Sequence, residues 1–202
     1  MKSLLCGLSA AFLLAACGGE SASPKMRMAV SAAPTLMSLD VDVVEVEQPP
    51  LPSAVEAKIS EIRTVLERDS LNRLVRLAAA EDNFVSNFAD ESHKVHWDLL
   101  RRTGFDPLHR LGDLLDGPHG TRPVGDQTWY VWPDFAALEA DALLPEKLDF
   151  ADRARLADLV GEPGLARIRN GQDYPGIRTA IAEDGRWLYF VHETTETKEA
   201  TP

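Results

Sequence analysis

Five histidines are the residues best suited to chemistry in this chain, and two of them, His93 and His96, stand three apart in SHKVHWDLLRRTG. Imidazoles at that spacing on a helix can share a metal ion. A third ligand must come from elsewhere, and His119 and His192 are the nitrogen donors available for it. A helical projection points the other way. It places Val95, His96, Leu99 and Leu100 on one face, and Asp98, Arg101 and Arg102 on the opposite one, where they can pair at i+3 and i+4. On that reading His96 turns inward to a buried partner. His93 and His96 are then weak metal candidates, and no metal or other cofactor is expected. His109 falls between Asp113 and Asp116, away from the Leu108–Leu111–Leu115 stripe, and reads as solvated.

A second group of candidates lies near the C-terminus. GIRTAIAEDGRWLYFV reads as a β-hairpin turning at Asp184-Gly185. A two-residue turn pairs Ala182 with Trp187, Ile181 with Leu188, Ala180 with Tyr189 and Thr179 with Phe190. Ile177, Thr179, Ile181, Leu188 and Phe190 then face the core. The other face sets Ala180 and Ala182 beside Trp187 and Tyr189, with Arg178 at the edge. Small residues beside large rings leave a trough that is either a ligand floor or the seat of a packed helix. As a floor, its rings stack on a sugar or peptide and Arg178 takes an anion. Trp132, in TWYVW, is the remaining aromatic ligand candidate. No G-x-S-x-G, S-x-x-K, H-E-x-x-H or phosphate-binding glycine loop is present, so no catalytic residue is assigned.

The elements that would position these side chains are mostly helical. Ser53 and Glu56 have the spacing of a capping box ahead of Val55, Ile59, Ile62 and Leu66. A short helix carries Leu71, Leu74, Val75 and Leu77. Another starts after Ser92 and stops at Gly104. Asp106 caps a fourth that begins at Pro107 and stops at Gly117-Pro118. A last helix runs from about Asp149 to Val160 and ends at Gly161. Strands are expected at Asn83–Phe88, at Thr128–Trp132 and in the hairpin, with Asp134 capping a short helical turn after Pro133. Helices interrupt these strands without a βαβ beat. The fold class is therefore α+β: a single small domain with helices packed on a small antiparallel sheet that ends in a β-hairpin.

The N-terminus speaks to location. After Lys2, Leu4 to Ala16 is apolar or small and uncharged. That is too short to span a bilayer core of about 30 Å, but it suits the apolar region of a signal peptide. LAAC, Leu14 to Cys17, resembles the lipobox of bacterial lipoproteins. The resemblance implies cleavage before Cys17, lipidation of Cys17, and an envelope location facing the periplasm. Gly18 in place of Asp favours the outer membrane by the same resemblance. The expected divisions are a signal peptide over 1–16, a lipidated tether over 17–52, a globular domain over 53–193 and a disordered tail over 194–202. If Cys6 leaves with the signal peptide and Cys17 is lipidated, the mature chain has no free thiol. Within the tether, LDVDVVEVE (Leu39 to Glu47) alternates and is rich in valine, so it is either solvated linker or an edge strand added to the domain or a partner.

Charge narrows the partners. The chain carries 21 Lys+Arg and 32 Asp+Glu. Losing Lys2 leaves 20 against 32, a formal charge of −12. With no basic run, nucleic acid and anionic lipid surfaces are not expected partners.

Five blocks in order, HWDLLRRTGFDP, YVWPDFAA, LADLVG, YPGIRTAI and DGRWLYFV, resemble a group of uncharacterised proteobacterial envelope proteins. The likeness spans roughly residues 80 to 192. It implies one envelope domain and brings no active-site residue with it. The first expectation for function is a lipid-anchored periplasmic domain that binds an envelope protein or glycan without turnover. The alternatives are a metal-dependent or hydrolase-like envelope enzyme and a structural subunit of an outer-membrane assembly.

Overall fold

The computed structural model describes residues 48, 50–89 and 91–193. Cys17, the expected signal peptide over 1–16, the Leu39–Glu47 stretch and the expected tail over 194–202 lie outside the described residues. Four helices come first: α1 (Ser53–Leu66), α2 (Leu71–Ala79), α3 (His93–Arg102) and α4 (Pro107–Asp116). β1 (Gly120–Val124) and β2 (Gln127–Trp132) follow, then a 3-10 turn (Asp134–Ala137), α5 (Phe150–Arg169), β3 (Arg178–Ala182) and β4 (Trp187–Val191). The strands form one antiparallel sheet in the order β1-β2-β3-β4. The α+β architecture and the C-terminal hairpin are as the sequence predicts. No helix among the described residues is long and apolar enough to cross a membrane.

The sheet separates two apolar clusters. Helices α1 to α4 bury Val55, Ile62, Leu74, Trp97 and Leu111 against Trp132, Ile181, Trp187 and Phe190. On the other face, Leu156, Leu165 and Ile168 of α5 cover Val131 and Ala180, together with Phe135, Leu143 and Tyr174.

Several local expectations give way to tertiary geometry. The capping box does not form: Pro52 occupies the N-cap of α1, without a side-chain cap, and its carbonyl accepts from Glu56 N–H at 3.0 Å. The chain is already docked before residue 53. Leu51 packs against the first cluster, and the Gln48 side chain meets His119. The domain therefore starts earlier than the proline-rich composition suggests.

Asn83–Phe88 is not a strand. Asn83 adopts φ 59°, and only Val85 bridges Tyr189, through bonds with Leu188 O and Phe190 N–H at 3.1 and 3.0 Å. β1, by contrast, was hidden by Pro123, which an edge strand tolerates. Gly161 interrupts α5 at φ 63° and ψ 178°, but Pro163 and Gly164 restart it through to Arg169. Proline in a first turn fits a helix start, because its missing N–H needs no partner there.

The hairpin register changes midway. Arg178–Val191, Thr179–Phe190 and Ala180–Tyr189 pair as expected, but a bulge then sets Ile181 opposite Trp187. The turn is longer than two residues. Ala182 N–H donates to Arg186 O, and Gly185 N–H to Ala182 O, with Gly185 at φ 88°. One extra residue reverses the face of every side chain beyond it. Trp187 is thereby sent to the helical side of the sheet and Leu188 to the α5 side.

Candidate functional site

Residues from Phe84 to Trp97 hold the candidate histidines. Ser92 Oγ accepts from Val95 N–H and starts α3. Before it, Asn87 organises the loop: its Oδ1 accepts from Ala89 and Glu91 N–H, and its Nδ2 donates to Glu91 O and Ser86 Oγ. Ser86 Oγ then shares a 2.8 Å hydrogen bond with His93 Nδ1. The His93 ring stands edge-on to Phe84 at 5.2 Å and lies 5.9 Å from Trp97. A serine bonded to an imidazole is the geometry of a nucleophile and its base. Ser86, however, is only 2 % exposed, so a substrate has no route to its oxygen. The pair ties the loop to α3.

His96 sits at the border of the core. Its Nδ1 is 3.9 Å from Glu91 Oε2, and its buried Nε2 has no partner among the described residues. His192 likewise buries an Nδ1 that has no partner among the described residues, and its ring lies 4.4 Å from Phe105. Burial holds the pKa of His93, His96 and His192 below the ordinary imidazole value. For His96 the Glu91 carboxylate works against that shift, and for His192 the neighbouring His96 adds to it. Among the described residues no three His, Cys, Asp or Glu side chains converge as a metal site. His109 is on the surface, 3.6 Å from Asp113.

The aromatic trough is not brought together. Trp187 is fully buried, and its Nε1–H donates to Thr179 Oγ1 at 2.8 Å, whose hydroxyl donates to Tyr189 O at 2.7 Å. Trp132 is buried in the same cluster. Tyr189 is on the α5 side and half-buried, so the two hairpin rings lie on opposite faces. The bulge is the physical reason. Arg178 donates to Tyr174 O and Gly176 O and forms a 2.6 Å ion pair with Glu193, so its fork is already engaged. Burial pushes the Glu193 carboxyl up, but bonds from Arg178 and Arg167 outweigh it and hold its pKa below the usual value.

Among the described residues, two of the open clefts beside the helices hold a candidate histidine with a buried ring nitrogen. One, of about 550 Å³, runs between α1 and the turn into β1, with Arg63, Ser60, His119 and Trp132 in its walls. His119 lies 5.3 Å from the Trp132 ring, and its buried Nε2 has no partner among the described residues. Burial lowers its pKa against the opposing influence of Asp134. The other cleft, of about 430 Å³, lies between Phe105, His192 and the interrupted part of α5. Neither joins a nucleophile, a base and an orienting acid.

The outward face of α3 is the surface that sequence reasoning missed. Trp97 and Leu100 are buried, whereas Val95 is 56 % and Leu99 51 % exposed. The expected inward face of Val95, His96 and Leu99 is thus rotated, because Trp97 takes the core position and brings Leu100 with it. Phe88, in the loop that precedes α3, is 71 % exposed. Arg101 and Arg102 are exposed and make no ion pair among the described residues, while Lys94 pairs with Asp98 at 2.6 Å. The competing four-residue spacing of Val95 and Leu99 was the available signal, and the single tryptophan decided against it. No family model, curated protein or solved structure matches the chain.

Proposed function

We propose that this protein is a lipid-anchored envelope domain that holds a partner protein against the outward face of α3 and does not turn over a substrate. The observation that carries this reading is the exposed Val95–Leu99 pair, with Phe88 in the preceding loop. Two aliphatic side chains one helical turn apart offer an apolar stripe that water solvates poorly. Arg101 and Arg102 add a cationic rim on a chain whose net charge is −11, so the favoured partner carries an apolar stripe with acidic neighbours. LAAC supports the anchor, with Cys17 as the lipidated residue.

Native mass spectrometry on the protein solubilised gently from its own envelope tests both halves. The expected result is a chain beginning at lipidated Cys17 and carrying the mass of a second protein. The double substitution V95D/L99D should remove that mass and leave the helical circular dichroism unchanged. A bare chain, or a small-molecule adduct that survives the double substitution, would overturn the binding reading. A chain retaining residues 1–16 would overturn the anchor.

A further inference from the structure

Helix α3 is asymmetric in charge as well as in hydropathy. Its outward stripe runs Val95, Leu99 and Arg102, at i, i+4 and i+7 on one face. Glu91, just ahead of the Ser92 cap, puts a carboxylate at the start of the helix, and Arg101 and Arg102 put guanidinium groups in its last turn. All three are exposed. A helix that is acidic at one end, apolar in the middle and basic at the other complements itself when turned end for end. We propose, on the binding reading above, that the partner held by this face is a second copy of the chain, its α3 packed antiparallel to the first about a twofold axis.

A twofold axis makes every contact occur twice, residue i on j and j on i. Setting Val95 opposite the second copy's Leu99 brings both aliphatic pairs together at the centre. At a rise of about 1.5 Å per residue, Arg102 then stands over the second copy's Ser92, with Glu91 next to it. Packed helices lie about 8–10 Å apart, a gap that an arginine side chain spans to reach a carboxylate. The interface thus holds two Arg102–Glu91 pairs, one at either end. Parallel packing would instead set guanidinium on guanidinium and carboxylate on carboxylate. Antiparallel packing also sets each helix dipole against the opposite end of the other. Phe88 extends the apolar surface beyond the start of α3. There it meets the end where the second copy's chain turns through Gly104, at φ 88° with open space where a side chain would stand.

Charge also favours this face over others. Each copy carries a net charge of −11, so two copies repel over most approaches. On α3, Lys94, Arg101 and Arg102 outnumber Asp98, and the approach is not acid on acid. Lys94 and Asp98 are already paired within each helix at 2.6 Å, which leaves the end charges to choose the direction. A ten-residue helix buries less than the roughly 800 Å² per partner of a stable complex, so association is weak in free solution. On the same reading, the lipid on Cys17 confines both copies to one surface and raises their effective concentration toward the millimolar range. Pairing is then a property of the anchored chain.

The test is Förster transfer between donor- and acceptor-labelled pools of the whole lipidated chain, labelled at the C-terminus, on vesicles of phosphatidylethanolamine and phosphatidylglycerol. Wild type should show transfer that rises with surface density and saturates, and V95D/L99D only the random background. R102E or E91R alone should need about a tenfold higher density for half-maximal transfer, since each turns two attractive pairs into repulsive ones. Mixing R102E donors with E91R acceptors restores both pairs in the antiparallel register and should recover wild-type transfer. Wild-type transfer no higher than that of V95D/L99D would overturn the second copy as occupant. If the chain from its own envelope then carries a different protein, lost with V95D/L99D, the docking face stands and only its occupant is wrong. Single charge variants that associate like wild type, or a mixture that fails to recover, would overturn the antiparallel pairing.

Discussion

On one side of the sheet, Trp97, Trp132 and Trp187 are buried among four short helices. On the other, one interrupted helix covers smaller residues such as Val131 and Ala180, and arginine forks pin it at two points. Near its start, Arg155 gives Asp134 two bonds of 2.8 Å, reaches Asp152 at 2.9 Å and lies 4.2 Å over the Phe135 ring. Near its end, Arg167 and Arg178 share Glu193 at 2.8 and 2.6 Å. The first face rests mainly on apolar volume, with Lys58 bridging Glu61 and Glu81 at 2.7 Å along its rim, and the second adds two arginine-centred clusters to a thinner apolar layer. The two faces should therefore fail under different insults.

The largest effect is expected at Trp187. Its removal opens a cavity in the first cluster, takes away a ring 4.4 Å from Phe84, and deletes the donor to Thr179 Oγ1. Trp187→Ala should cost about 3–5 kcal/mol in urea unfolding, as large-to-small core substitutions at aromatic positions do. A loss below about 1 kcal/mol would mean that the helical layer collapses freely onto the gap, and the contrast between the faces would dissolve.

A smaller loss is expected across the sheet. Asp134→Asn keeps the shape of the side chain and removes the charge that Arg155 grips, while Asp152 still holds one nitrogen. Both partners are about one-third exposed, so solvent already screens the pair. The expected cost is about 1–2 kcal/mol, intermediate between exposed and buried charge pairs. Amide exchange would sharpen the point: protection should fall first around the start of α5 and the 3-10 turn, with α1 and α2 unaffected. Equal loss across both faces would show that the two layers are one cooperative unit.

How far these layers could be read from sequence depends on the range of the signals involved. The Asp106-Pro107 start of α4, with Asp106 Oδ1 accepting from Leu108 N–H, is local chemistry and was legible. So was the break at Gly161, which takes a positive φ. The bulge between Ala180 and Ile181 was not, because it is selected by where Trp187 can bury its ring and find Thr179. Arg178 was expected to take a ligand's anionic group at the hairpin edge, but it grips Glu193, which lies 15 residues on, beyond the end of β4. The facing of α3 had two periodic solutions that differ by one aromatic residue. That ambiguity hid the Val95–Leu99 stripe, and it also turned His96 into a border residue.

Acid separates the faces by chemistry, with the mildest effect expected near neutral pH. His93, His96 and His119 belong to the helical side, and His192 lies at its margin against Phe105. Burial keeps all four pKa values below the ordinary 6.5. The unfolded chain therefore takes up protons before the folded one as pH falls through 6.5, and stability declines until the folded values are passed. The slope stays well under the limit of about 1.4 kcal/mol per pH unit for each histidine, because none is fully enclosed. Glu193 acts lower on the scale. Its pairing with Arg178 and Arg167 is in force above the ordinary glutamate value of 4.5 and is lost as pH drops through its depressed folded value. Unfolding free energy measured from pH 7.5 to 3 should thus fall in two stages, the first bracketed by histidine and the second by carboxylate. Glu193→Gln should erase part of the second stage only. Replacing His96 and His192 together with Gln should shrink the first and leave the second. A profile flat between pH 7 and 5 would mean that these imidazoles protonate as readily in the fold as outside it, and the apolar character assigned to the helical face would have to be given up there.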